Sequence, residues 1–420
     1  MRIRGLMTLA AAAAIVVGAC SGPTATVPPT AAPAASVTAS TAPSAAVSTA
    51  PSASVAAGQA SIGPGEGKLN LIAWAGYVVG GTGGEQVKGY DWVTPFEKAT
   101  GCKVTVKVGL DSGNMVQLMK TGQYDGVSAS GDATLRLIAG GDVAPVNFAL
   151  IPNYADVFSG LKNQSYNTVN GVGYGVPHGR GANVLMYDPT VVKTAPDSWS
   201  VVFDPNSPYK GKVTAYNYAI YIADAALYLM KTQPSLNITN PYSLDKDQLA
   251  AAVALLKTQK TIIGKYWGTA QEEIDGFANG DMALGTAWLY QQNTINAAGG
   301  KQVASVTPKE GSTGWSDTWM ISSKAAHPNC MYKWMDYIIS PKANADVTVY
   351  FGEAPVSAAA CAEAEKQSAG FCDQFHAADE TYFKNIWYWN TPTVNCLDGR
   401  GAICTDFDAW TKAWTDITGS

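Results

Sequence analysis

The segment from Leu69 to Ser130 decides the fold. It begins with LNLIAW at 69–74, continues through VTPFEKA at 93–99 and CKVTVKV at 102–108, and ends with YDGVSAS at 124–130. LNLIAW is a short apolar run of strand type. VTPFEKA has helical character and stops at Gly101, and CKVTVKV alternates apolar and polar residues as a half-buried strand does. A second helical stretch, Asn114 to Thr121, leads into the YDGVSAS strand. Strand, helix, strand, helix, strand is the signature of a parallel α/β sheet.

A second series of the same kind follows. GKVTAY at 211–216 reads as a strand, and IADAALYLMK at 222–231 as a helix. Leu249 to Thr258 forms another helix and MALGTAW at 282–288 another strand. Ligands of such sheets gather at the carboxyl ends of the strands. Trp74, Ser130, Tyr216 to Tyr218 and Trp288 all fall at those ends, which implies a cleft between two α/β lobes.

The remaining sequence sets limits. Arg2 and Arg4 precede an apolar run, Leu6 to Val17, that closes on VGAC. A basic start, a short apolar core and small residues form an export signal, and the run is shorter than the about 20 residues that span a bilayer. Val17-Gly18-Ala19-Cys20 is similar to the lipobox of bacterial lipoproteins, which makes Cys20 the lipidation site of an anchored chain. An ordinary secreted protein with a cysteine at its cleavage site is the alternative. Residues 1–20 are thus read as signal and 21–66 as a disordered tether. From Ser21 to Gly65 there is no charged and no aromatic residue, so that segment cannot bury enough apolar surface to fold. Its mean reach is roughly 35–40 Å. GPGEGK at 63–68 lacks the spacing of a phosphate loop.

The portion from Gly67 onward exceeds the usual size of a single core, so two domains are expected. A net charge of −5 without a basic stripe argues against nucleic acid. Beyond Cys20 there are six cysteines, Cys102, Cys330, Cys361, Cys372, Cys396 and Cys404. An even number in an exported chain reads as disulfides, although six allow fifteen connectivities. Cys361 with Cys372, and Cys396 with Cys404, could each close a small loop. Without CxxC spacing or neighbouring histidines, a zinc site is not expected.

Enzymatic motifs are also lacking. The histidines, His178, His327 and His376, have no metal-binding spacing. GVSAS at 126–130 lacks the second glycine of a nucleophile elbow. The acidic run at Glu272, Glu273 and Asp275 reads as a solvated helix face.

LNLIAWAGYV, YDWVTPFEKATGC, YDGVSASGDATLRLI, SPYKGKVTAY, VTPKEGSTGWSDTWMI and FGEAPVS occur in this order. Together they resemble the extracellular solute-binding proteins of polyamine-type (spermidine/putrescine) ABC importers, over about residues 67–400. The resemblance implies an α/β, two-lobed periplasmic-binding-protein type II (flytrap) fold with chain crossovers between lobes. It implies an N-terminal lobe of residues 67–177 and 316–355, a C-terminal lobe of 178–315 and 356–420, and both Cys102 and Cys330 in the first.

By the same resemblance Trp74 and Tyr77 flank the ligand, Ser130 and Trp288 face it, and Trp315 and Asp317 form the W-x-D pair of the cleft wall. The aromatics would sandwich a cation and Asp317 would hold its ammonium. Tyr218 and Tyr221 stand where spermidine binders carry acids, and Asp132 and Glu353 replace tyrosines. VPHGRG brings His178 and Arg180 to the first crossover, where Arg180 could bind a ligand carboxylate or phosphate. Trp387 and Trp389 could reach the cleft, with packing the plainer role.

The expectation is a monomeric, lipid-anchored binding protein on the outer face of the cytoplasmic membrane, handing a small polar solute to an ABC permease. A polyamine-like cation is the first choice of solute, and a zwitterion or anion selected by Arg180 the second. An exported hydrolase is the alternative class. Neither metal nor cofactor is expected.

Overall fold

The structure is a computed structural model that describes residues 59–419. The export signal, Cys20 and the tether as far as residue 58 lie outside the described residues. Gln59 to Glu66, counted above with the tether, instead make contacts at one helix start. The Gln59 side chain and the Gly63 amide donate to Asn329 Oδ1, and the Glu66 carboxylate accepts from the Asn329 and Cys330 amides. Glu66 thereby satisfies amides in the first turn of helix Pro328–Ile338, which would otherwise be left unpaired, and Gln59 holds the Asn329 side chain.

Two five-stranded sheets organise the chain, and they share one topology. In the first, Lys68–Ala73 lies centrally, parallel to Lys103–Val108 on one side and to Gly126–Ala129 on the other. Thr318–Ile321 then adds antiparallel to Gly126–Ala129, and Val176–Pro177 antiparallel to it. In the second, Val213–Tyr216 lies between parallel Ile263–Trp267 and Leu284–Ala287, followed by antiparallel Val184–Tyr187 and Ala304–Val306. The strand–helix alternation read from sequence is therefore present in both halves.

Local chemistry sets the helix ends. Pro95 lies within the first turn of helix Val93–Thr100, where its missing N–H costs nothing, and Gly101 ends that helix at φ 73°. Asp245 caps helix Lys246–Lys260 and Thr269 caps Ala270–Asn279, each in a reciprocal capping box. Val213–Tyr216 and Leu284–Ala287 are buried along their length, and Lys68–Ala73 from Leu71 onward.

The chain crosses from the first sheet to the second through Val176–Val184 and returns through Ser312–Thr318. The two crossing segments pair antiparallel, Gly181 with Trp315 and Ala182 with Gly314. Ile386–Tyr388 adds parallel to the returning segment. Helix Ala358–Gln367 packs on helix Pro341–Phe351, and helix Phe407–Thr418 packs on Lys246–Lys260 of the second half.

Three disulfides are formed: Cys102–Cys330, Cys361–Cys372 and Cys396–Cys404. The first joins residues 228 apart. Among the described residues no helix is long and apolar enough to cross a membrane.

Candidate functional site

The carboxyl ends of the parallel strands meet at one cavity of about 190 Å³. Trp74 and Ser130 enter it from the first sheet, and Gly268, Thr269 and Trp288 from the second. The returning crossover contributes Trp315 and Asp317, and the segment after Ile386–Tyr388 contributes Trp389. The volume is below the about 300–1,000 Å³ of drug-sized pockets, so the space suits a compact solute.

Asp317 is 3% exposed. Its Oδ1 accepts from Ser130 Oγ at 2.6 Å and its Oδ2 from Tyr77 Oη at 2.8 Å. Ser130 occupies the N-cap position of helix Gly131–Ala139 yet does not cap it with its side chain, because its hydroxyl serves Asp317 instead. Burial pushes the Asp317 carboxyl up to about 6, against the opposing effect of these two hydrogen bonds. A buried carboxylate that lacks a cation in contact is a group that a cationic ligand would stabilise.

Behind Asp317 lies a buried polar chain. The Trp319 indole donates to His178 Nδ1 at 2.8 Å, which leaves the ring proton on Nε2, 3.4 Å from Glu353 Oε1. Burial holds His178 down to about 3, so the ring is neutral. Glu353 is fully buried, and burial followed by the nearby Asp317 charge raises it well above the carboxylate range. Tyr77 lies against His178, with ring centroids 3.9 Å apart and the planes tilted by 32°, and so supports Asp317 from behind.

The aromatic walls meet at wide angles. Trp288 is edge-on to Trp74 at 6.4 Å and 64°, and to Trp389 at 6.5 Å and 65°. On the other side Phe351 meets Trp315 at 88° and stacks on Tyr290 at 5.0 Å. Tyr216 stacks on Trp389 at 5.8 Å and holds it from outside.

Of the residues named from sequence, Trp74, Ser130, Trp288, Trp315 and Asp317 line the cavity together. Tyr77 and Glu353 stand behind it. Asp132 is buried and accepts from Ser112 Oγ at 2.9 Å, with its carboxyl raised by burial to about 7.

Arg180 does not line this cavity. Its Nη2 donates to the Ala377 carbonyl at 2.8 Å and to Glu380 Oε1 at 3.2 Å, and its guanidinium lies 3.4 Å over the Phe383 ring. Strand alternation explains this orientation. A Cβ on Gly179 would meet Glu353 at 2.6 Å, and one on Gly181 would meet Trp315 at 2.5 Å. Both flanking positions thus face the cleft side, and Arg180 faces away.

Tyr218 and Tyr221 are also directed elsewhere. The Tyr221 hydroxyl accepts from Gln259 Nε2 at 2.8 Å and its ring meets Trp414 edge-on, while Tyr218 packs near Phe407. After Tyr216 the chain coils into a short 3-10 turn and then helix Ile222–Thr232, which turns both rings towards the C-terminal helix.

Two lining aromatics escaped the sequence reading, and a third was given there with packing as its plainer role. Tyr290 and Phe351 sit within helices Leu289–Ala297 and Pro341–Phe351, and Trp389, read mainly as packing, forms a wall. None carries a local sequence signal, because the pairing of Ile386–Tyr388 with Ser312–Gly314 brings Trp389 in from a distance.

Comparison with known proteins agrees with this geometry. The profile of the bacterial extracellular solute-binding protein family matches residues 91–371. The putrescine/agmatine-binding protein of Pseudomonas aeruginosa is 26% identical over 286 residues, covering 63% of this chain and 75% of its own length. The putrescine-binding periplasmic protein PotF of Escherichia coli is 25% identical over 316 residues, 71% of this chain and 80% of its own. A putative spermidine/putrescine ABC transporter structure from Listeria monocytogenes superposes with a TM-score of 0.67 at 17% identity, covering 84% of this chain and 99% of its own. The fold is the type II periplasmic-binding-protein fold, and the chain belongs to the family of bacterial extracellular solute-binding proteins.

Proposed function

We propose that this chain captures a small organic cation in the interlobe cavity and delivers it to an ABC permease. The observation that carries the proposal is Asp317, a buried carboxylate held by Ser130 and Tyr77 and lining a cavity walled by Trp74, Trp288, Trp315 and Trp389. Aromatic faces attract a cation by about 0.5–2 kcal/mol each, and the carboxylate adds a charge-assisted hydrogen bond or ion pair. Putrescine and agmatine, the ligands named for its relatives, belong to this class of solute.

Residues 67–177 with 316–355 act as one jaw, and 178–315 with the C-terminal helix as the other. The paired crossovers at Gly181 and Trp315 are the hinge between them. Contacts from both jaws favour the closed state on ligand binding. Cys20 carries a lipid that anchors a monomer to the outer face of the cytoplasmic membrane, and the low-complexity segment provides its reach. Isothermal titration of the purified chain against small cations, zwitterions, anions and sugars tests the reading. Saturable one-to-one binding confined to cations supports it, and binding confined to anions or sugars overturns it.

A further inference from the structure

The cavity offers one formal charge. Among its lining residues only Asp317 is ionised at neutral pH. Asp132, Glu353 and Asp224, the other buried carboxylates nearby, do not line the cavity. Asp132 accepts from Ser112, Glu353 faces His178, and Asp224 Oδ1 accepts from Thr313 Oγ1 at 3.0 Å. Tyr218 and Tyr221 also lie outside the cavity. A second ammonium would therefore enter an apolar box without a counter-charge.

Beside Asp317 the lining offers only the neutral side-chain oxygens of Ser130, Thr269, Gln271 and Tyr290. Both Asp317 oxygens already accept one bond, from Ser130 and Tyr77, which leaves part of the capacity of a carboxylate. A primary ammonium carries three donors, and each one left unpaired in a dry site is a loss. A quaternary or tertiary ammonium carries none or one. The walls fit the same chemistry. Trp74, Trp288 and Trp389 meet at 64–65° and Trp315 meets Phe351 at 88°, so they enclose a rounded cation more readily than they sandwich an extended chain. Aromatic cages of this kind recognise quaternary ammonium groups.

We infer that the cavity selects a compact organic monocation with a methylated nitrogen, a quaternary or tertiary ammonium, over a primary diamine. This rests on the reading of the cavity as a cation site given above. The aromatic box surrounds the methyl groups, and Asp317 supplies the counter-charge while accepting at most one hydrogen bond from the ligand nitrogen.

The test is titration of the purified chain at pH 7.5 with tetramethylammonium, choline, ethanolamine and putrescine. Choline and ethanolamine share one skeleton and differ only in methylation. Choline and tetramethylammonium are expected to bind at least tenfold more tightly than ethanolamine and putrescine. Binding of putrescine or ethanolamine equal to or tighter than that of choline overturns the inference and leaves the cation-binding reading intact. Failure of all four to bind folded protein overturns both. The comparison uses the unaltered chain, so no variant has to fold for it to be decisive.

Discussion

Replacing Asp317 with Asn separates the two roles of a buried carboxylate. Burial raises its pKa from an ordinary value near 3.8 to about 6. At neutral pH the folded state therefore carries a penalty of about 3 kcal/mol for keeping the group ionised, at 1.36 kcal/mol per pKa unit. Asn removes that penalty. Its amide must face either Ser130 or Tyr77, and one hydroxyl must reverse from donor to acceptor, at a cost of about 1 kcal/mol. The ligand-free Asp317→Asn protein is expected to gain about 2 kcal/mol at pH 7.5, a rise of about 2–6 °C in Tm. The sign follows from a folded pKa above the unfolded one. The penalty is complete above about 6 and absent below about 4, so the gain should vanish by pH 4. Affinity for the cation should fall roughly 10- to 150-fold through loss of a charged partner worth about 1.5–3 kcal/mol. Calorimetric titration at pH 7.5 and thermal unfolding at pH 7.5 and 4 read both effects. Unchanged affinity would refute the role of Asp317 as cation partner. A pH-independent loss of stability would refute the account of a strained buried charge.

In the unaltered protein, cation affinity should weaken roughly tenfold per pH unit below about 6, as Asp317 takes up a proton. The groups around it are the Tyr77 and Ser130 hydroxyls, the carboxyls of Glu353 and Asp132, and the phenols of Tyr166 and Tyr216, with neutral His178 behind. Affinity that stays flat between pH 7 and 5 would contradict the assignment. Gly131→Ala places a Cβ 1.8 Å from the Trp389 carbonyl oxygen, which expels a cavity wall. Cation affinity should drop at least tenfold, with a changed tryptophan emission spectrum, and unaltered binding would show that Trp389 is dispensable. Removing Cys102–Cys330 as a pair of alanines should lower stability by about 5 kcal/mol, against about 3 kcal/mol for Cys361–Cys372. The loops closed span 228 and 11 residues and stabilisation grows with loop length. Urea midpoints of the two double variants decide the order.

The sequence by itself determined what depends on short-range pattern. Alternation of strand and helix periods gave the parallel sheets, and strand ends located Trp74, Ser130 and Trp288, because side-chain direction along a strand follows its period of two. Trp315 and Asp317 were legible through the family strings, which fix residues next to one another in the chain. Tertiary structure decided what depends on distant pairing. Pairing of Ile386–Tyr388 with the returning crossover makes Trp389 a wall, and helix packing brings in Tyr290 and Phe351. The side on which Arg180 emerges was set by the register between Gly181 and Trp315. A shift of one residue in that pairing would have turned the guanidinium into the cleft. Such a register is fixed by which faces can be buried together across hundreds of residues, and no local run of amino acids carries that information.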